Sequence, residues 1–293
     1  MPVILDSRDL ATIDKEMAVE SKVWEVLKEG AKSISDSDFV SVNEVRINKM
    51  TGFTNAKYAR NADNKRSKID VSKETVKLTQ ERWMGYDLDS RDESENMAYA
   101  VGNVIQEHNR LVTIPEKDIY AIKMLLENAG KLVPEKVDTT NSLDVFDAAE
   151  EYMTDEEVSG PFVMFASSSY YKALKNNDKV SKTFTTNEVN ISGINRKVAQ
   201  LDNDIPIIRV PAARLAVDEK KKINFILVPL SVAAPIEKYN DVTLIPAETD
   251  RDGYRDTIKG LDYYDLIVFE NAKKAIYVSY EEAAPGTKTK SIK

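Results

Sequence analysis

Apolar positions recur most regularly between Asp92 and Val112. Met97, Val101, Val104, Ile105, His108, Leu111 and Val112 fall three or four residues apart, one stripe of an amphipathic helix of about five turns. Ser90 with Glu93 has the form of a capping box at its start. A second helix is predicted after Thr113-x-x-Glu116, another capping box, with Pro115 in its first turn and Gly130 at its end. Its apolar side is Ile119, Ile122, Leu125, Leu126 and Ala129. A third, acidic helix runs from about Ser142 to Met153 behind Asn141. Near the N-terminus, Ile13, Met17, Trp24 and Leu27 share one side of a helix over Ala11–Lys32, and Trp24 is expected to pack on its own or a neighbouring subunit.

Other segments read as strands. Between Val42 and Tyr86 apolar residues alternate with charged ones, as in a long hairpin, but the centre from Thr51 to Lys68 offers only Phe53 and Tyr58 as large apolar groups. Further on, a buried strand at 161–166 leads into a short helix at 167–176. Runs at 189–191, 204–210, 223–228 and 242–245 are bounded by Pro, Asn and Gly. The last two strands, 265–270 and 275–280, are predicted to form a hairpin through Asn271–Lys274. Helices and short strands arranged in blocks indicate an α+β fold.

Charge changes the picture of the hairpin. Residues 44–82 hold ten Lys/Arg against five Asp/Glu, whereas residues 85–160 hold six against eighteen. A basic arm unable to bury its own tip, followed by an acidic body, predicts self-assembly in which copies lay arms over neighbouring bodies. Lys57, Arg60, Lys65, Arg66 and Lys68 are the candidate intersubunit contacts. A solvated loop is the ordinary alternative for such a run, and phosphate contact a third reading. The net charge of −8 weighs against sequence-independent nucleic-acid binding. The absence of cysteine excludes disulfides, thiolate metal sites and cysteine nucleophiles. No secretory signal and no membrane span is expected.

Candidate chemistry is sparse. Ser169-Tyr-Tyr-Lys172 has the spacing of a serine–lysine nucleophile, without its partner motifs. Glu248, Asp250, Asp252 and Gly253 imitate the opening of a calcium loop, but Lys259 stands where the closing glutamate belongs. His108 is the only histidine, which excludes a two-histidine metal site and suits a packed, hydrogen-bonded imidazole. No phosphate-binding glycine loop is present. No catalytic residue, metal ligand or cofactor is therefore assigned, and the chain is expected not to be an enzyme.

The order of segments resembles the major capsid proteins of tailed double-stranded-DNA bacteriophages, with the Hong Kong 97-like fold. The resemblance lies in Arg82–Asp89 leading into a spine-like helix, in Glu116–Tyr120, in Asp204–Pro211 with Phe225–Pro229, and in Gly260–Val278. It implies an N-terminal arm at 1–40, an extended loop at 41–88, and a peripheral domain from 89–135 with 246–285. The axial domain would be 136–245, and 286–293 a flexible tail. It further implies pentamers and hexamers forming an icosahedral head around packaged DNA, in a virion assembled in the bacterial host cytoplasm. Partners implied are a separate scaffolding protein, a portal and decoration proteins, with no membrane. Some relatives crosslink a loop lysine to an asparagine, for which Lys57, Lys65, Lys68 and Asn271 supply the residue types without an assignment. Two rival readings are an encapsulin-like bacterial compartment of the same fold and a hydrolase built on Ser169 and Lys172.

Overall fold

The computed structural model describes residues 20–30, 39–41, 44–58, 60, 63–64, 66–89, 101–178, 186–191, 194–201, 205–249, 253 and 255–282. The start of the predicted leader helix, the Ser90 cap, Lys65, Asp250, Asp252 and the C-terminal tail lie outside these residues.

A seven-stranded sheet forms the centre. Its strands are β5 (Lys131–Pro134), β6 (Phe162–Ser167), β7 (Thr186–Ile191), β8 (Ile194–Leu201), β9 (Ile205–Val210), β10 (Lys221–Pro229) and β13 (Tyr277–Glu282). Their spatial order is β5-β13-β10-β6-β9-β8-β7, with β6/β9 and β5/β13 parallel. Strand period sorts β6 between two cores. Val163 and Phe165 pack with α1 (Trp24–Gly30), whereas Met164 and Ala166 pack with α4 (Ser142–Asp155) and α5 (Ser168–Lys175). Both faces of the sheet are thus covered by helices, which explains the continuous apolar runs of its central strands.

A second sheet has three strands, β4 (Gln80–Asp89), β11 (Ala233–Ile245) and β12 (Arg255–Val268), in the order β11-β12-β4. The predicted closing hairpin is corrected here. β12 pairs with β11 and β4, while β13 pairs with β10 and β5. Residues Glu270–Ala275 form a 3-10 helix that carries the chain from one sheet to the other. Pairing also crosses the boundaries expected at 135/136 and 245/246, because β5 and β13 join the sheet of β6 and β9, and β11 joins that of β12.

One helical run of roughly 40 Å bridges the two sheets. It consists of α2 (Val101–His108), a π turn (Asn109–Thr113) and α3 (Ile114–Glu127). The break expected at Thr113 is absent: Thr113 has helical dihedrals of −64° and −47° and makes no side-chain cap. Pro115 lacks an N–H, and its ring crowds the carbonyl of Leu111 one turn earlier. The wide turn preceding it, closed by the Ile114 N–H donating to the Asn109 carbonyl, lets the helix pass through the proline. Val104 and Ile105 then meet Met84, Leu88 and Ile258 of the small sheet, whereas Ala121, Ile122 and Leu125 enter the main core.

Candidate assembly interface

The hairpin of β2 (Glu44–Thr51) and β3 (Asp70–Lys77), flanked by the short β1 (Phe39–Ser41), is paired from Glu44↔Lys77 to Thr51↔Asp70. Eight antiparallel pairs make a ladder of roughly 27 Å. Only its root is held. Val45 and Leu78 are buried against Ile236 and Ile267, with Val76 and Ile47 beside them. At the far end Phe53 and Tyr58 are 69% and 74% exposed, and Met50, Ile69 and Val71 are exposed as well. Gly52, at φ +97°, turns the chain into the tip, where a Cβ would lie 2.7 Å from the Lys68 carbonyl oxygen.

Lys57, Arg60, Arg66 and Lys68 are all exposed on this tip, with no ion-pair partner among the described residues. The tip therefore does not rest on its own subunit's core. The acidic body presents its charges to solvent too: Asp144, Asp147, Glu151 and Asp155 face outward from α4, while Val145, Phe146, Ala149 and Met153 face the core.

Sequence reasoning missed a second surface. The small sheet and its helix expose Trp83 (67%), Val112 (45%), Val242 (41%), Leu244 (44%) and Leu261. The signal was present in β4, where Met84 and Leu88 fall on one phase of the strand and are buried, while Trp83 falls on the opposite, solvent-facing phase.

A buried polar junction lies where α1, α3 and the small sheet meet, and no motif announced it. The Lys117 ammonium stands 3.1 Å from Glu237 Oε1, 2.8 Å from Asp262 Oδ2 and 4.9 Å from the Tyr264 ring centroid. Trp24 packs on its own subunit, donating from Nε1 to Glu237 at 2.9 Å and meeting Tyr264 edge-on. Burial opposes the Glu237 charge, but Lys117 and Lys28, with hydrogen bonds from Lys117 and Trp24, outweigh it and hold the pKa below the ordinary glutamate value. Tyr120 donates to Asp265 at 2.6 Å, and burial together with that carboxylate raises its pKa to about 12.

The other candidates resolve as packing or turn residues. His108 Nδ1 and the Tyr86 hydroxyl share a hydrogen bond at 2.7 Å, and desolvation lowers the imidazole's pKa. The Ser169 hydroxyl pairs with Ser167, whose oxygen caps α5 by accepting from the Tyr170 N–H. Ser169 borders a cleft of about 680 Å3 beside α6 (Ala212–Leu215), whose lining does not include Lys172. Glu248 lies in a 3-10 turn and Lys259 in β12, with no group of three metal-ligating side chains among the described residues. Asn271 is exposed in the 3-10 connection.

No protein-family model and no curated protein sequence matches the chain. Solved structures do. The chain is similar to a protein of the cyanophage P-SCSP1u capsid at a TM-score of 0.66 and 10% identity, covering 96% of this chain and 94% of the other. It is similar to a chain of the bacteriophage PhiM1 mature capsid at 0.64 and 12% identity, with 96% and 92% covered. A chain of Mycobacterium phage Che8 aligns at 0.62 and 15% identity, with 95% and 96% covered. The fold is the α+β, Hong Kong 97-like fold of phage major capsid proteins.

Proposed function

We propose that this chain is the major capsid protein of a tailed double-stranded-DNA phage, assembling through pentamers and hexamers into an icosahedral head around the genome. Residues 41–88 serve as the arm laid over a neighbour, and the two sheets, rather than cuts at 135/136 and 245/246, divide the remainder into peripheral and axial domains. Portal, scaffolding and decoration proteins are its other partners, the virion its destination, and the role is structural rather than catalytic. The observation that carries this reading is the basic hairpin tip, exposed and without a core, on a fold it shares with capsid subunits. Many modest contacts repeated under closed symmetry then stabilise a container without any single strong site.

The test reverses the arm's charge: Arg60→Glu, Lys65→Glu, Arg66→Glu and Lys68→Glu combined. The expected result under electron microscopy is no shells, with the subunit's circular dichroism unchanged. Normal shells from this variant would refute the electrostatic arm. Nuclease-protected DNA inside shells made in the host, rather than an enclosed protein cargo, separates the phage head from an encapsulin-like compartment.

A further inference from the structure

The cleft of about 680 Å3 beside α6 opens at one end of the main sheet. β6 and β9 finish there at Ser167 and Val210, β13 finishes there at Glu282, and the antiparallel β10 starts there at Lys221. Pockets of about 300–1,000 Å3 bury ligands of many atoms, so this one has room for a short stretch of peptide rather than for water alone. Exposed Ser168 and Ser169 at the start of α5, and exposed Ala212 and Ala216 at the two ends of α6, line it. Small side chains on both sides leave space for a backbone to lie between them.

The rim is acidic. Asp218, Glu219, Glu281 and Glu282 line it, against Lys221 and Lys222. Lys221 lies 3.7 Å from Asp218 and Lys222 3.0 Å from Glu281, so both lining cations are taken. Glu219 and Glu282 are exposed, with no ion pair among the described residues.

We infer that residues 283–293 of the same chain fold back and occupy this cleft. They follow directly on Glu282, which is itself part of the rim. Lys288, Lys290 and Lys293 are their only charged side chains, the sign that the rim lacks. Pro285-Gly286 is the central pair of a type II turn, which sends a chain back towards the strand end it has just left. From Thr287 to Ile292 hydroxyls alternate with longer side chains. Extended, these residues span roughly 20 Å and carry Thr287, Thr289 and Ser291 on one side, Lys288, Lys290 and Ile292 on the other. The hydroxyl side suits the serine wall, and the lysines suit Glu219 and Glu282. Residues 1–19 are the rival occupant, because Arg214 of α6 donates to the Glu20 carbonyl and so holds their exit nearby. They carry Asp6, Asp9, Asp14 and Glu16 against Arg8 and Lys15, an excess that the rim repels. The inference concerns a single subunit and stands apart from the proposed assembly.

The chain contains no cysteine, so introduced thiols report only on themselves. Ala216→Cys in the cleft is combined with Ile292→Cys, and the whole chain is treated with a short bismaleimide. The control replaces Ala216→Cys by Ser231→Cys, exposed at the opposite end of the main sheet. The expected result is a band at the subunit's own mass in which mass spectrometry finds the two peptides joined. Joining should be roughly ten-fold faster than in the control, as a high effective concentration requires. It should fall towards the control rate in roughly 1 M salt, or when Glu219→Lys and Glu282→Lys are added. Equal rates for the two pairs overturn the inference. So do joined dimers in place of joined monomers, which give the segment to another copy, and faster joining of Ala216→Cys to Ile13→Cys, which gives the cleft to residues 1–19. A rate indifferent to both salt and charge reversal overturns the electrostatic ground on which these residues are chosen.

Discussion

The Asp118 carboxylate and the Arg214 guanidinium meet at 2.5 Å in the interior, their side chains 0% and 6% exposed. Arg214 also donates to the Glu20 carbonyl at 2.8 Å. Asp118 in turn accepts from the Ser21 hydroxyl and from the backbone N–H groups of Lys22, Val23 and Trp24, at 2.8 to 3.1 Å. One residue of α3 therefore caps α1 from outside it, satisfying donors that a short helix cannot pair for itself. The N-terminal segment is tied to the helical run through this carboxylate.

Asp118→Asn leaves the Arg214 charge buried without compensation, and the expected cost is roughly 3–5 kcal/mol of unfolding free energy. Pairing it with Arg214→Met removes the stranded charge and should recover a good part of that loss. Urea denaturation of the two variants checks the order. Protease cleavage between residues 20 and 30 should rise in the single variant first, because α1 is the element it releases.

The sequence made some of this legible and concealed the rest for physical reasons. Periodicity found the apolar stripes of α2 and α3, because 3.6-residue spacing survives without knowledge of partners. The basic tip stood out because charge and the want of apolar residues are compositional. The join between α2 and α3 was misread, since Thr113-x-x-Glu116 with Pro115 states a helix start in local terms, while packing on two sheets favours continuing through a π turn. Strand pairing of β12 and β13 was misread for a similar reason: two strands adjacent in sequence look like a hairpin until longer-range partners compete. The Lys117 junction had no sequence signature at all, its members being spread from Trp24 to Tyr264.

Gly130 marks a close approach rather than only the end of a helix. A Cβ there would lie 2.6 Å from both the Lys273 carbonyl oxygen and the Lys274 Cα, which are backbone atoms unable to swing aside. The Gly130 N–H donates to the Ile276 carbonyl, tying the end of α3 to the connection between the two sheets. Gly130→Ala should therefore lower stability by about 1–3 kcal/mol, the usual cost of forced displacement in a packed region. Thermal unfolding of the subunit measures it. A neutral result would mean that the 3-10 turn at Glu270–Ala275 yields more easily than its packing against α3 implies.

His108 makes the fold sensitive to mild acid. Desolvation lowers its pKa in the folded chain, whereas in the unfolded chain it titrates near its ordinary value of about 6.5. Below that value the unfolded state binds the proton more readily than the folded one, so stability falls as pH falls, until the folded-state pKa is also passed. Above it the contribution is fully present. Protonation makes Nδ1 a donor to the Tyr86 hydroxyl oxygen, so that contact between α2 and β4 can persist and the cost lies in placing the charge in a desolvated site. As the only histidine among 293 residues, His108 can be tested without interference from another imidazole. Urea midpoints recorded between pH 8 and pH 5 should decline in the unmodified chain and hold nearly level in His108→Gln over the upper part of that range. The carboxylates, Glu237 among them with its lowered pKa, weaken both chains alike only at lower pH. Parallel curves for the two proteins above the carboxylate range would assign the acid sensitivity to groups other than this imidazole.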